Sequence, residues 1–253
     1  MGNAVLQQDP MTFFDAMGVE GIEEFFELLM MFIVVSFFIF VALQFAKRSR
    51  KKEGFEVQKK LSLGYCFYFL SMAISYAAYL LDRTWRFLFG PDERFFARRP
   101  DSILSFDYFL VMFFGMSLGF AFLSYVIEKH VLNRRVVLAW VCLFAVIFTI
   151  ALRPLEDAVM PFSPDVAKYL GIVLFAAVAM VIVMLVVIYI KIASMSPAGS
   201  ELWNRSIAFI IGTSIMVVIM VVGVRQFSIF PTFGPIIALA SLFIMNYGLS
   251  RSE

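Results

Sequence analysis

The chain has 253 residues, 62% of them hydrophobic and only 16% charged. Soluble domains carry about 25% charged residues, so an ordinary water-soluble fold is excluded. The net charge of +2 says little alone, and its distribution matters more.

Met1 to Gly21 is mixed and acidic. It lacks the basic start and apolar core of a cleavable signal peptide. Leu6 stands where a myristoylation signal needs Ser or Thr. Met11 to Phe26 reads as a short interfacial helix. Seven apolar spans follow, at about 24–46, 61–81, 104–127, 136–152, 169–192, 206–224 and 235–249. Several of these windows pass the roughly 18 apolar residues that mark a transmembrane helix. The links are too short to bury cores of their own. The expected fold is an all-α integral membrane protein. It is a single seven-transmembrane-helix bundle over 1–253, and the expected location is the cell membrane, multi-pass.

Orientation follows from the basic residues in the links. One side holds the run Lys47, Arg48, Arg50, Lys51, Lys52, Lys59 and Lys60. With Lys129, Arg134, Arg135, Lys191, Arg205 and Arg251 that side carries thirteen, and the other carries eight. This predicts the N-terminus outside and the C-terminus in the cytoplasm.

Span two is unusual among the seven. Tyr65, Tyr68, Met72, Tyr76, Tyr79, Arg83 and Arg86 recur at spacings of three or four, which is one face of a helix. Lipid has no use for four hydroxyls, so the stripe should face other helices. It either lines a ligand path or bonds to neighbouring helices. It runs up to an outer rim rich in charge. Glu23, Glu24 and Glu27 open span one, Asp82, Arg83 and Arg86 close span two, and Asp107 opens span three. Arg153 closes span four before Glu156 and Asp157, and Arg225 closes span six. One reading is a vestibule for an anionic or zwitterionic ligand, bound by Tyr76, Tyr79, Asp82, Arg83, Arg86, Asp107, Arg153 and Arg225. The other is that these groups snorkel and pair across helix ends.

Two further groups point to lipid or a partner. The cations from Lys47, Arg48, Arg50, Lys51 and Lys52 suit anionic lipid or an acidic cytoplasmic partner. Trp85 opens a link that mixes aromatic and basic residues, as segments in the headgroup layer do. Glu128 and His130, at the inner end of span three, are candidates for contact with a partner. Nothing here favours nucleic acid. Gly115 with Gly119, Ala208 with Gly212, and Gly234 with Ala238 are small-residue pairs that let helices approach closely.

Catalytic and metal chemistry find no residues. No span holds a mid-membrane charge, span seven lacks a lysine for a retinal Schiff base, and no hydrolase motif occurs. A single histidine, His130, excludes bis-histidine haem ligation within the chain and argues against a histidine-rich metal site. Cys66 and Cys142 lie within apolar spans and are read as free thiols. No cofactor and no enzymatic activity are expected.

The stretches KKLSLGYCFYFL, YLLDRTWR and SYVIEKHVLNRR resemble compact archaeal seven-helix membrane proteins. The layout as a whole is similar to the seven-helix sensor regions of microbial signalling proteins. Being one of layout, the resemblance carries no residue roles. It implies a non-enzymatic sensor or receptor-like module whose output comes from a separate partner protein. The alternatives are a non-catalytic subunit of a larger membrane complex, and a small-solute transporter or channel.

Overall fold

The computed structural model describes residues 10–50, 56–90, 95–98, 107–160, 162–224 and 230–250. Seven α-helices follow one another, and no strand occurs among the described residues. They are α1 (Pro10–Ser49), α2 (Glu56–Phe89), α3 (Asp107–Val126), α4 (Val137–Val159), α5 (Pro164–Met195), α6 (Glu201–Val224) and α7 (Phe230–Ser250). Each packs on the next, and α7 returns to α1, so the bundle closes on itself.

Five described helices are long and apolar enough to cross a membrane: Glu24–Ser49, Glu56–Phe89, Asp107–Val131, Val137–Val159 and Lys168–Met195. Apart from α3, which lies within 104–127, the helices overrun the apolar spans that the sequence predicts at one or both ends. The expected interfacial helix over Met11–Phe26 is not separate, because α1 runs unbroken from Pro10 to Ser49. Forty residues make about 60 Å of helix, twice the hydrocarbon thickness. Likewise α4 continues through Pro154 to Val159 rather than stopping at Leu152.

Local chemistry sets the helix ends. Pro164 sits in the first turn of α5, where its missing N–H is no loss. Gly90 ends α2 with φ +116° and returns its N–H to the Arg86 carbonyl at 2.9 Å. Only glycine takes that backbone freely. After α3 the chain widens into a π turn over Ile127–Val131. Asn133 then adopts φ +48°, and the Arg134 N–H closes on the Glu128 carbonyl at 2.8 Å. That turn reverses the chain into α4.

Helix α2 is central and inside out. Its polar face is buried: Tyr65, Tyr68, Ser71, Ser75 and Tyr76 lie within the bundle. Leu63, Phe67, Leu70, Ile74 and Leu81 are exposed on its other face. The interior is filled with rings. Phe38, Tyr68, Phe69, Phe113, Phe120 and Phe209 are almost wholly buried. Tyr189 stacks on Phe209 at 4.1 Å, and Tyr68 meets Phe69, Phe120 and Phe209 within 6 Å.

Gly115 with Gly119, and Gly212 of the second pair, serve packing inside the chain, while the surroundings of Gly234 lie outside what the structure describes. A Cβ on Gly115 would collide with Ser75 Oγ and stand 2.8 Å from the Ser71 carbonyl. One on Gly119 would lie 3.2 Å from the Tyr68 carbonyl. These glycines therefore set the α2–α3 separation. Gly212 does the same for α6 and α7, against Met245, and its carbonyl accepts a 2.7 Å hydrogen bond from Ser241. Ala238 is buried on α7.

Gly115→Val forces α3 away from α2. Overpacking of this kind costs about 1–3 kcal/mol. The expected result is a lower unfolding midpoint in mild detergent with unchanged helical content, measured by circular dichroism.

Candidate functional site

The rim is the end of the bundle where α2 and α4 finish and α1 and α3 bring their acidic residues. Two polar networks occupy it. In the first, the Tyr79 hydroxyl donates to Glu27 Oε1 at 2.8 Å and accepts from Arg83 Nε at 2.8 Å. Arg83 Nε stands 3.8 Å from the same carboxylate oxygen, and its guanidinium lies 5.3 Å from the Tyr79 ring centre. Glu27 is only 6% exposed. The network joins α1 to α2. It forms because Tyr79 and Arg83 are one turn apart on α2, so both reach the acidic turn of α1.

In the second network Arg153 binds Asp107 Oδ1 through Nε and a terminal nitrogen, each at 2.6 Å. Its other terminal nitrogen binds Glu156. Glu156 is 1% exposed, and this guanidinium is what compensates its burial. Here α3 is tied to α4. The Tyr108 ring meets the Tyr79 ring edge-on at 5.5 Å, so the two networks adjoin.

Asp82 is buried on α2 and accepts the Phe96 N–H at 3.1 Å. The Asp107 N–H binds the Ala97 carbonyl at 3.1 Å. Segment 95–98 is thereby pinned between α2 and α3. Trp85 packs against Phe89 at 4.4 Å and Phe95 at 5.5 Å.

The residues expected to bind a ligand thus divide. Tyr79 and Arg83 meet in one network, and Asp107 and Arg153 meet in the other. Asp82 fixes a backbone amide. Tyr76 lies deeper, against the Phe38 ring at 5.3 Å. Arg86 is half-buried in the last turn of α2. Arg225 lies outside the described residues. The guanidiniums of Arg83 and Arg153 are directed at carboxylates of their own bundle. Glu27 and Glu156 complete the networks, although neither belongs to the ligand set read from the sequence. Both were visible there as acidic groups at the rim, Glu27 just inside the start of span one and Glu156 just past the end of span four. Tyr108 carried no such signal.

The second expected group also divides. Lys47 and Arg50 are exposed at the end of α1, and Arg48 lies 5.2 Å from the Phe45 ring centre. Lys51 and Lys52 lie outside the described residues. His130 meets the Tyr125 ring edge-on at 6.2 Å, and Lys129 donates to the Tyr125 hydroxyl at 2.8 Å.

Glu128, expected at the surface for a partner, is buried instead. Its carboxylate accepts the Leu138 N–H at 2.9 Å and the Ala139 N–H at 3.1 Å. These are first-turn amides of α4, which have no partner within their own helix. The capping residue comes from ten positions upstream, carried there by the π turn. A carboxylate at a helix N-terminus also complements the helix dipole.

The tyrosine stripe below the rim bonds to other helices. The Tyr65 and Tyr189 hydroxyls share a 2.6 Å hydrogen bond between α2 and α5. Ser75 donates to the Met112 carbonyl of α3 at 3.1 Å. No cluster of three or more histidine, cysteine or acidic residues able to hold a metal occurs among the described residues.

Comparison of the chain with protein-family models, with curated proteins and with solved structures gives no match in any of the three.

Two substitutions test this geometry. Arg153→Ala takes the guanidinium away from Glu156 and Asp107, and breaking a buried pair in this way costs about 3–5 kcal/mol. Adding Glu156→Gln and Asp107→Asn to Arg153→Met should recover a large part of the loss. Chemical denaturation in detergent reads both. Glu128→Ala removes the α4 cap, and lost caps cost about 0.5–2 kcal/mol. Faster hydrogen exchange should appear at the Leu138 and Ala139 amides and not at the rim.

Proposed function

We propose that the chain is a non-enzymatic seven-helix membrane module that acts through a separate protein, as a subunit of a larger membrane assembly. In this reading α6 and α7 cross the bilayer with the other five. The N-terminus lies outside, the C-terminus lies in the cytoplasm, and the cell membrane is the location.

One observation carries the choice of subunit over ligand-binding receptor. The arginines best placed to meet an external anion, Arg83 and Arg153, are bound to Glu27, Asp107 and Glu156 of the same bundle. Ring packing across the interior supports the same reading, because Tyr65, Tyr68, Tyr189 and Phe209 occupy the space that a ligand path along the stripe would need. A module built this way presents surface rather than a pocket.

A sensor remains the second reading, and one feature favours it. The rim networks join α1 to α2 and α3 to α4 through partly buried charges and adjoin at the Tyr79 and Tyr108 rings, and such networks respond as units when one member is lost.

The test uses the full chain, tagged and expressed in its own cells. After cross-linking in intact membranes and extraction in mild detergent, the subunit reading expects a species well above the 28.8 kDa of the chain. One partner should recur in it at fixed stoichiometry. Recovery of the chain alone overturns that reading. If Arg83→Gln leaves the assembled species intact but abolishes a cellular response, the sensor reading takes its place.

A further inference from the structure

Helices α2 and α3 run together at the end of the bundle opposite the rim, where a Cβ on Gly64 would stand 3.3 Å from Val126. One turn beyond this contact, about 6 Å along each helix, come Lys60 on α2 and His130 in the π turn that ends α3. Lys129 precedes His130 in that turn. Two helices thus bring three basic side chains to one place, and both Lys60 and Lys129 act electrostatically on His130. The three gather around the Tyr125 ring. Lys129 donates to its hydroxyl at 2.8 Å and lies 5.1 Å from the ring centre, and His130 meets the ring edge-on.

Among the described residues no carboxylate pairs with Lys60, Lys129 or His130. Glu128, their nearest acid in the chain, is buried and gives its two oxygens to the Leu138 and Ala139 amides. Glu56 lies 3.9 Å from Lys59 instead. A helix end favours cations, which accounts for Lys129 and His130 at the close of the turn. It does not account for Lys60, which a second helix adds to them. Like charges held together repel, and an anion between them removes the repulsion.

Depth names that anion. Tyr125 near the end of α3 is 39% exposed, and Trp140 near the start of α4 is 69% exposed. Amphipathic rings so placed sit at the level of lipid headgroups. Phe67 and Phe122, stacked at 4.7 Å across α2 and α3, are exposed on the hydrocarbon side of Tyr125. Cations one turn beyond Tyr125 in the other direction are then at the depth of lipid phosphates.

We propose that Lys60, Lys129 and His130 form, with Tyr125, a site for the phosphate of an anionic phospholipid. Lys129 keeps donors besides the one given to Tyr125, Lys60 brings its whole ammonium, and the His130 ring has an N–H in either charge state. The site requires that α2 and α3 cross the bilayer, which both are long and apolar enough to do.

Native mass spectrometry of the full chain in mild detergent tests it, with dioleoyl-phosphatidylglycerol and dioleoyl-phosphatidylcholine as probes. The expected result is phosphatidylglycerol held through washing that strips phosphatidylcholine. Lys60→Gln with Lys129→Gln should lower that retention about tenfold. Arg135→Gln with Lys191→Gln removes as many charges from elsewhere on the basic side, and should change it by less than about twofold. Lys129→Gln alone, expected to lower it about threefold, serves if the melting point shows that the first pair does not fold. Equal loss in the two double variants means a diffuse charge effect and overturns the site, as does equal retention of the two lipids. If the chain holds inorganic phosphate but no phosphatidylglycerol, lipid is not the source of the phosphate and the assignment falls. Loss of the cross-linked assembly in Lys60→Gln with Lys129→Gln, at unchanged lipid retention, gives these charges to a protein partner and also overturns it. Alkaline carbonate extraction separates the site from the membrane reading beneath it. If the chain stays in the membrane and no lipid is held, the site alone fails.

Discussion

The inward-facing polar stripe of α2 is the constraint on which the rest of the bundle depends. Hydrocarbon offers no partner to a hydroxyl or a guanidinium, so every such group must find one inside the protein. Apolar burial between helices contributes little in a membrane, because lipid tails are as apolar as leucine. Close backbone approach and interhelical hydrogen bonds must therefore hold the bundle. Helix α2 supplies both. Its Ser71 and Ser75 turns receive Gly115 and Gly119 of α3, and its Tyr65 and Tyr79 hydroxyls reach α5 and α1. The exposed leucines and phenylalanines on its other face are what lipid requires.

Sites that look catalytic or ligand-binding in a membrane sequence are charges placed where charge is costly. Here the cost is met by geometry. Arg153 grips one oxygen of Asp107 through two nitrogens and turns a third to Glu156, using the several fixed donors that a guanidinium carries. Glu128 shows the same logic with a backbone partner. In isolation it reads as an exposed acid beside Lys129 and His130. Once the π turn swings it under α4, it becomes the acceptor for two amides that the helix cannot satisfy.

Much of this was legible in the sequence, and the limits are physical. The helical class and the apolar spans followed from hydropathy. The three-and-four spacing from Tyr65 to Arg86 located the buried face of α2, and the glycine pairs located close contacts. Helix ends were less legible, because hydropathy marks where lipid is and not where backbone hydrogen bonding stops. Thus α1 and α4 run past their apolar windows. Pairing was hidden too. The sequence placed Asp107 and Arg153 at one rim, but 46 residues separate them, and only the antiparallel packing of α3 and α4 makes them partners. The role of Glu128 depends on a five-residue π turn and on the left-handed Asn133 that follows it, which no periodicity announces.

The bundle is not uniform in what holds it. Among the described residues, interhelical charge pairing runs across α1 to α4, from Glu27 through Arg83 and Tyr79 to Tyr108, Asp107 and Arg153. The contacts of α5 to α7 are of another kind: Tyr189 stacked on Phe209, Ser241 bonded to the Gly212 carbonyl, and Met245 against Gly212. Both kinds of contact are short-ranged or directional, so each fixes the helices it joins. The Tyr65–Tyr189 hydroxyl bond between α2 and α5 carries the register of the charged half into the aromatic one.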